Sequence, residues 1–179
     1  MQGIHSASIE VLDFSSKEEP SNTMTAASKV IIADDHPLFR DALRQALNKA
    51  FGELKIITCG SFATLQRTLE GHNDSNLILL DLHMPGAVGF SALRYLGLRC
   101  PEIPVAIVSA HEEHDIMMKA LEHGASGFIA KSSALPDIID SVQRIMLGDV
   151  VLPKGVDVQY PSTTINTCLL YTSPSPRDS

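Results

Sequence analysis

Between residues 29 and 150, short apolar runs alternate five times with segments whose apolar residues recur about every four positions. That alternation is the pattern of βαβ units and leaves little room for any architecture except a parallel sheet with helices on its faces. The runs are Val30–Ala33, Lys55–Thr58, Leu77–Leu80, Val105–Val108 and Gly127–Ala130. Four of them are nearly continuous in apolar residues, as strands covered on both faces must be. Pro37 suits the first turn of a helix, and Leu38/Phe39, Ala42/Leu43, Ala46/Leu47 and Ala50 then repeat at helical spacing. Ser61 is placed to cap a second helix, and Ser91 to Leu98 makes a short third. Gly124 and Gly148 stop the fourth and fifth after apolar stripes ending at Leu121 and Ile145. The expectation is one α/β domain with a doubly wound, five-stranded parallel sheet and five helices.

The flanks have no such pattern. Residues 1–28 are rich in Ser, Thr, Glu and Pro, with one short apolar stretch at Val11, Leu12 and Phe14, and are read as a disordered extension. Met24 opens MTAASKVIIADDHP and is read as the native start, with residues 1–23 as translated upstream sequence. Residues 151–167 read as the beginning of a linker. Residues 168–179 open with CLLYTSPSPRD, which matches the translation of a transposase adapter from sequencing libraries, and are read as an artefact. No basic n-region or apolar h-region opens the chain, and no run approaches the roughly 20 apolar residues of a membrane span. A cytoplasmic location without membrane contact follows as the expectation. Cys59, Cys100 and Cys168 lack CxxC spacing and suggest neither a disulfide framework nor a zinc knot. Residues 29–152 hold 11 Lys/Arg against 15 Asp/Glu, so no basic stripe offers a nucleic-acid backbone a footing, and this chain is not expected to bind DNA.

Open α/β sheets bind their ligands beyond the carboxyl ends of the strands, where strand order reverses. The first strand ends at Asp34-Asp35, the third at Asp81, the fourth at Ser109 and the fifth at Lys131. If strands one and three are neighbours, as in the order 2-1-3-4-5, three carboxylates converge. Close like charges do not all stay ionised without a cation, and an all-oxygen donor set suits Mg²⁺. Asp81 is then placed to attack a phosphoryl donor, with Lys131 as a point charge for one phosphoryl oxygen and the Ser109 hydroxyl as donor to another. Each residue alone has an ordinary explanation; the shared strand-end placement is what argues for a site. HEEH at His111–His114 lacks the spacing of a helical zinc motif and is not read as one.

The stretches VIIADDHPLFRDAL, LILLDLHMPGAVGFSALR, PVAIVSA and GASGFIAKSS together resemble the receiver domain of bacterial response regulators, most of all the NarL/LuxR-type transcriptional regulators. The resemblance covers residues 29–150 and implies a flavodoxin-like fold with strand order 2-1-3-4-5. It implies Asp81 as phospho-acceptor, and Asp34 and Asp35 as the acidic pair. By it, Asp35 and Asp81 hold Mg²⁺ through their side chains and His83 through its backbone carbonyl. It further implies Ser109 as switch hydroxyl, Phe128 as the rotating aromatic, and His83 and His111 as residues that tune the lifetime of the phosphoryl group. The proline that usually follows the lysine is Ser132 here, so the cis peptide often found there loses its usual basis.

The function implied is a phosphorylation switch fed by a sensor histidine kinase, without enzymatic activity beyond self-phosphorylation and self-dephosphorylation. Homodimerisation on phosphorylation belongs to the same expectation, as does a helix-turn-helix domain in a longer native protein. One alternative is a stand-alone receiver acting by docking to a partner. Another is a phosphatase working through an aspartyl phosphate, but His83 stands where such enzymes commonly have a second acid.

Overall fold

The computed structural model describes residues 28–52 and 54–156. The expectations for residues 1–27 and 157–179, including Met24 as a start and the adapter match, lie outside the described residues. Five strands, β1 (Lys29–Ala33), β2 (Lys55–Cys59), β3 (Leu77–Leu80), β4 (Val105–Ser109) and β5 (Gly127–Ala130), form one parallel sheet in the order β2-β1-β3-β4-β5. Five helices alternate with them: α1 (Pro37–Phe51), α2 (Phe62–Gly71), α3 (Ser91–Arg99), α4 (His114–Glu122) and α5 (Leu135–Met146). Each expected element is present, with boundaries shifted by one residue at several ends.

Alternation along each strand divides the core in two. Ile31, Ala33, Ile78, Leu80, Val105, Ile107 and Phe128 face a layer containing Leu65 and Leu69 of α2, Leu93 and Leu96 of α3, and Met117 of α4. Val30, Ile32, Leu77, Leu79, Ala106, Val108 and Ile129 face Leu43 and Leu47 of α1 and Ile138, Val142 and Ile145 of α5. Both faces of β3 and β4 are therefore covered, which explains why their sequences lack polar alternation. The Ser61 hydroxyl accepts the Thr64 N–H and the Thr64 hydroxyl accepts the Ser61 N–H, so a reciprocal capping box starts α2. Gly124 and Gly148 follow α4 and α5 at φ 95° and 102°, a left-handed conformation that ends a helix without a Cβ penalty.

The chain leaves β1 in one direction to build β2 and then crosses back to place β3 on the other side of β1. Ala33 pairs with Leu80, so the residues that follow, Asp34 and Asp81, emerge side by side from the reversal point. No cis peptide occurs among the described residues. Beyond α5, where the sequence suggests a linker, Val151 is only 4% exposed and forms a parallel bridge to Gly127 of β5. Among the described residues no helix is long and apolar enough to cross a membrane.

Candidate functional site

Asp81 leaves β3 with its main chain tied to β1 by a 2.8 Å hydrogen bond from its N–H to the Ala33 carbonyl. Its carboxylate is 2% exposed and is held at both oxygens. Oδ1 accepts the His83 N–H at 2.9 Å, while Oδ2 accepts from Lys131 Nζ at 2.9 Å. Asp34, also 2% exposed, accepts the His36 N–H on Oδ1 at 2.7 Å and faces Lys131 Nζ with Oδ2 at 2.7 Å. The ammonium thus bridges two buried carboxylates from β1 and β3, although its own strand, β5, lies two places from β3. It rests 5.0 Å from the centre of the Phe39 ring. Burial alone would lower the Lys131 pKa, but the contacts with Asp34 and Asp81 outweigh it and raise the pKa, keeping the side chain charged.

The donor set fits a hard divalent cation. One ligand atom each from Asp34, Asp35, His36 and Asp81 fall within 4.8 Å of one another, and Asp34 Oδ2 and Asp35 Oδ1 are buried atoms that accept no hydrogen bond. The Lys131 ammonium faces Asp34 Oδ2 at 2.7 Å as an ion pair, and His36 Nδ1 lies 3.1 Å from Asp35 Oδ1. Three clustered carboxylates against the single Lys131 ammonium leave an excess of negative charge that a divalent cation would offset.

His36 is the residue that strand-end reasoning misses. Its Nδ1 lies 3.0 Å from Asp34, 3.1 Å from Asp35, 3.5 Å from Asp81 and 3.1 Å from Lys131 Nζ, although 61% of its side chain is exposed. The only signal in the sequence is its position between the acidic pair and the helix-starting Pro37. A ring over the carboxylates must compete with a cation for the same oxygens. His36→Ala is therefore expected to raise divalent-cation affinity by about two- to ten-fold, the factor by which a partly closed site depresses apparent binding. Isothermal titration with Mg²⁺ measures it; a fall in affinity would instead make His36 a ligand.

Arg40, on the first turns of α1, donates from Nη1 to the Asp34 carbonyl at 2.6 Å. The guanidinium lies over Gly60, where an added Cβ would come within 2.9 Å of Nη1. Nearby, burial pushes the Cys59 thiol up to about 11 against the opposing charge of Arg40, so it stays protonated and unreactive.

Ser109 is fully buried at the end of β4, and its hydroxyl accepts the His111 N–H at 3.0 Å. His83 and His111 occupy matching turns, each N–H bonded back to the side chain two residues earlier, and their rings meet with centroids 4.7 Å apart. They form a rim above the strand ends. Phe128 does not join the polar site: it is 1% exposed and packs inward in the α2–α4 layer. Ser132, beside Lys131, donates to Glu112 Oε1 at 2.5 Å and so ties the loop after β5 to the loop after β4.

The family model described as the response regulator receiver domain matches residues 30–143. Among curated proteins, the chain is 38% identical over 128 residues to the glycerol metabolism activator of Pseudomonas putida, covering 72% of this chain and 58% of that protein. Among solved structures it resembles a LuxR family DNA-binding response regulator from Silicibacter pomeroyi, at 33% identity and a TM-score of 0.64, over 72% of this chain and 99% of that one. The receiver domain of the putative response regulator NarL from Mycobacterium tuberculosis is similar at 30% identity and a TM-score of 0.59, over 68% and 98% of the two chains. The chain spans about three fifths of the length of the curated relatives it matches.

Proposed function

This chain belongs to the response regulator receiver domain family, and from that premise we propose that it is a switch that accepts a phosphoryl group on Asp81 from a sensor histidine kinase. The observation that carries the reading is the Asp81 carboxylate itself. It is buried at the strand-order reversal, is oriented by the His83 N–H and Lys131, and stands beside the carboxylates of Asp34 and Asp35. In the transfer, an Asp81 oxygen forms a bond to phosphorus as the bond from phosphorus to the donor imidazole nitrogen breaks, and that nitrogen keeps the electron pair. Lys131 neutralises part of the charge that arrives on the phosphoryl oxygens, and the Ser109 hydroxyl proton is free to turn to one of them. Asp34, Asp35 and Asp81 are the residues to hold Mg²⁺, which would screen the approaching anions.

The transfer chemistry is confined to self-phosphorylation and self-dephosphorylation. A phosphatase of the aspartyl-phosphate kind calls for an acid two residues beyond the nucleophile, where this chain has His83. The transcriptional role of the relatives suggests that a protein containing this domain controls genes through a DNA-binding part, with phosphorylation favouring a dimer. Residues 29–152, at 11 Lys/Arg against 15 Asp/Glu, are not themselves suited to hold DNA.

Incubated with acetyl phosphate and Mg²⁺, the chain should gain one phosphoryl group that is stable in acid and labile in base. EDTA should reduce the rate by at least about a hundred-fold, the scale of losing charge stabilisation at the reacting centre. Intact mass measured with and without base treatment decides the matter. Labelling that persists in EDTA would remove the cation from the reading.

A further inference from the structure

β5 is an edge strand, and its outer side is met by the chain's own segment Asp149–Val156 through one parallel bridge, Val151 to Gly127. The Phe128 N–H donates to the Val151 carbonyl at 2.8 Å, and the Val151 N–H donates to the Ser126 carbonyl at a longer 3.3 Å. Val151 packs with Ile129 and Ile145 on one side of the sheet, whereas Leu152 and Val156 pack on the other, in the layer that holds Phe128. The segment therefore hooks over the sheet edge. Gly127 leaves no slack beneath it: a Cβ there would lie 3.0 Å from the Val151 carbonyl oxygen and 2.7 Å from Ile145 Cδ1. Before the hook, the Asp149 N–H bonds to the Arg144 carbonyl and its carboxylate meets Arg144 Nε at 3.3 Å.

On its inner side the same short strand is bound to the site. Ser109 pairs with Ala130, the Lys131 N–H donates to the Ser109 carbonyl at 2.8 Å, and Lys131 Nζ reaches Asp81. Two residues separate Phe128, which the strap grips, from Lys131, which the carboxylates grip. Resting on the phospho-acceptor reading, we infer that Asp149–Val156 is a strap whose grip on β5 is set by the state of Asp81, with Val151 as a positioning residue for Phe128. A phosphoryl group on Asp81 takes over the ammonium that Asp34 and Asp81 already hold and gives the buried Ser109 hydroxyl a new acceptor, so Ser109 and its β5 partner Ala130 shift toward β3. That pulls β5 inward, away from the strap, and the 3.3 Å bond to Ser126 is the weak point at which the strap loosens. Coupling of this kind is reciprocal: whatever loosens the strap must favour the phosphorylated state by the same factor.

Amide hydrogen exchange on the full chain, before and after loading with acetyl phosphate and Mg²⁺, tests this directly. The Phe128 amide should exchange about five-fold faster or more once Asp81 is loaded, while the Asp81 amide, which donates to Ala33 inside the sheet, stays protected. Gly127→Ala, which pushes the strap outward, should show the fast Phe128 amide without any phosphoryl group and should bind beryllofluoride with Mg²⁺, a reversible stand-in for the phosphoryl group, more tightly by a similar factor. An unchanged Phe128 amide in a chain whose mass shows full loading would overturn the strap and leave the phospho-acceptor reading standing. Faster exchange at Phe128 and Asp81 together would also overturn it, because it would report general loosening. Absence of any loading would overturn the phospho-acceptor reading, and the strap inference with it.

Discussion

Asp81→Asn is expected to incorporate less than about one hundredth of the phosphoryl group taken up by the native chain, since an amide offers no nucleophilic oxygen pair and no charge toward a cation. The substitution keeps the side chain's size and still offers an oxygen to the His83 N–H that Asp81 Oδ1 accepts at 2.9 Å. It also removes one of two buried carboxylates that share a single ammonium, so the metal-free variant should melt no lower than the native chain. Intact mass after acetyl phosphate gives the loading, and calorimetry gives the melting temperature. Undiminished loading would place the acceptor elsewhere, while a large fall in melting temperature would mean the carboxylate is chiefly structural.

Lys131→Ala should act in the opposite sense on stability. The ammonium is 12% exposed and stands against two carboxylates that are each 2% exposed, so its removal leaves two anions facing each other. Breaking a fully buried pair costs about 3–5 kcal/mol, and the partial exposure of this lysine reduces the expected loss to about 1–3 kcal/mol. Added Mg²⁺ should stabilise both chains by binding their folded forms, and the gap between them should narrow by no more than about 1 kcal/mol, the equivalent of a few-fold tighter binding to the variant. The pH dependence has a definite sign. Because the folded-state pKa of Lys131 is raised above its ordinary 10.5, its contribution is complete below that value and fades only as pH rises through the raised value. The variant should therefore trail the native chain throughout the neutral range. Affinity for Mg²⁺ should stay within a few-fold, while the dimerisation or spectral change that follows loading is lost; the reverse result would make Lys131 a determinant of cation binding instead.

The fold was legible because strands covered on both faces write themselves as apolar runs, as Leu77–Leu80 and Val105–Val108 do. The site was legible to the extent that it sits at strand ends. Asp34, Asp35, Asp81 and Lys131 converge because the register of β1 and β3 brings the first three together and a long flexible side chain crosses to meet them. His36 was not legible in the same way. It is a loop residue whose neighbours come from β1, β3 and β5, and no local periodicity records such a meeting. Val150-Val151-Leu152 was visible as an apolar run but fell after the helix stop at Gly148, and its partner lies more than 20 positions earlier in β5. The inward packing of Phe128 is likewise a matter of the α2–α4 layer and has no signature in the residues around it.

The Arg40 guanidinium, stretched over Gly60 to the main chain of Asp34, has a consequence for which sequences can occupy this fold. Position 60 touches none of the carboxylates, and nothing about its backbone demands glycine. Yet a single methyl group there would displace the guanidinium, because the tip of Arg40 already fills the space the methyl would need. The chain would still fold, since a flexible arginine can step aside at little cost. What would drift is the carbonyl of Asp34, and with it the aim of the acidic pair. Neutral variation at the loop after β2 is thereby curtailed by chemistry at the end of β1, so an alanine at position 60 would be silent in a melting curve and audible in cation binding.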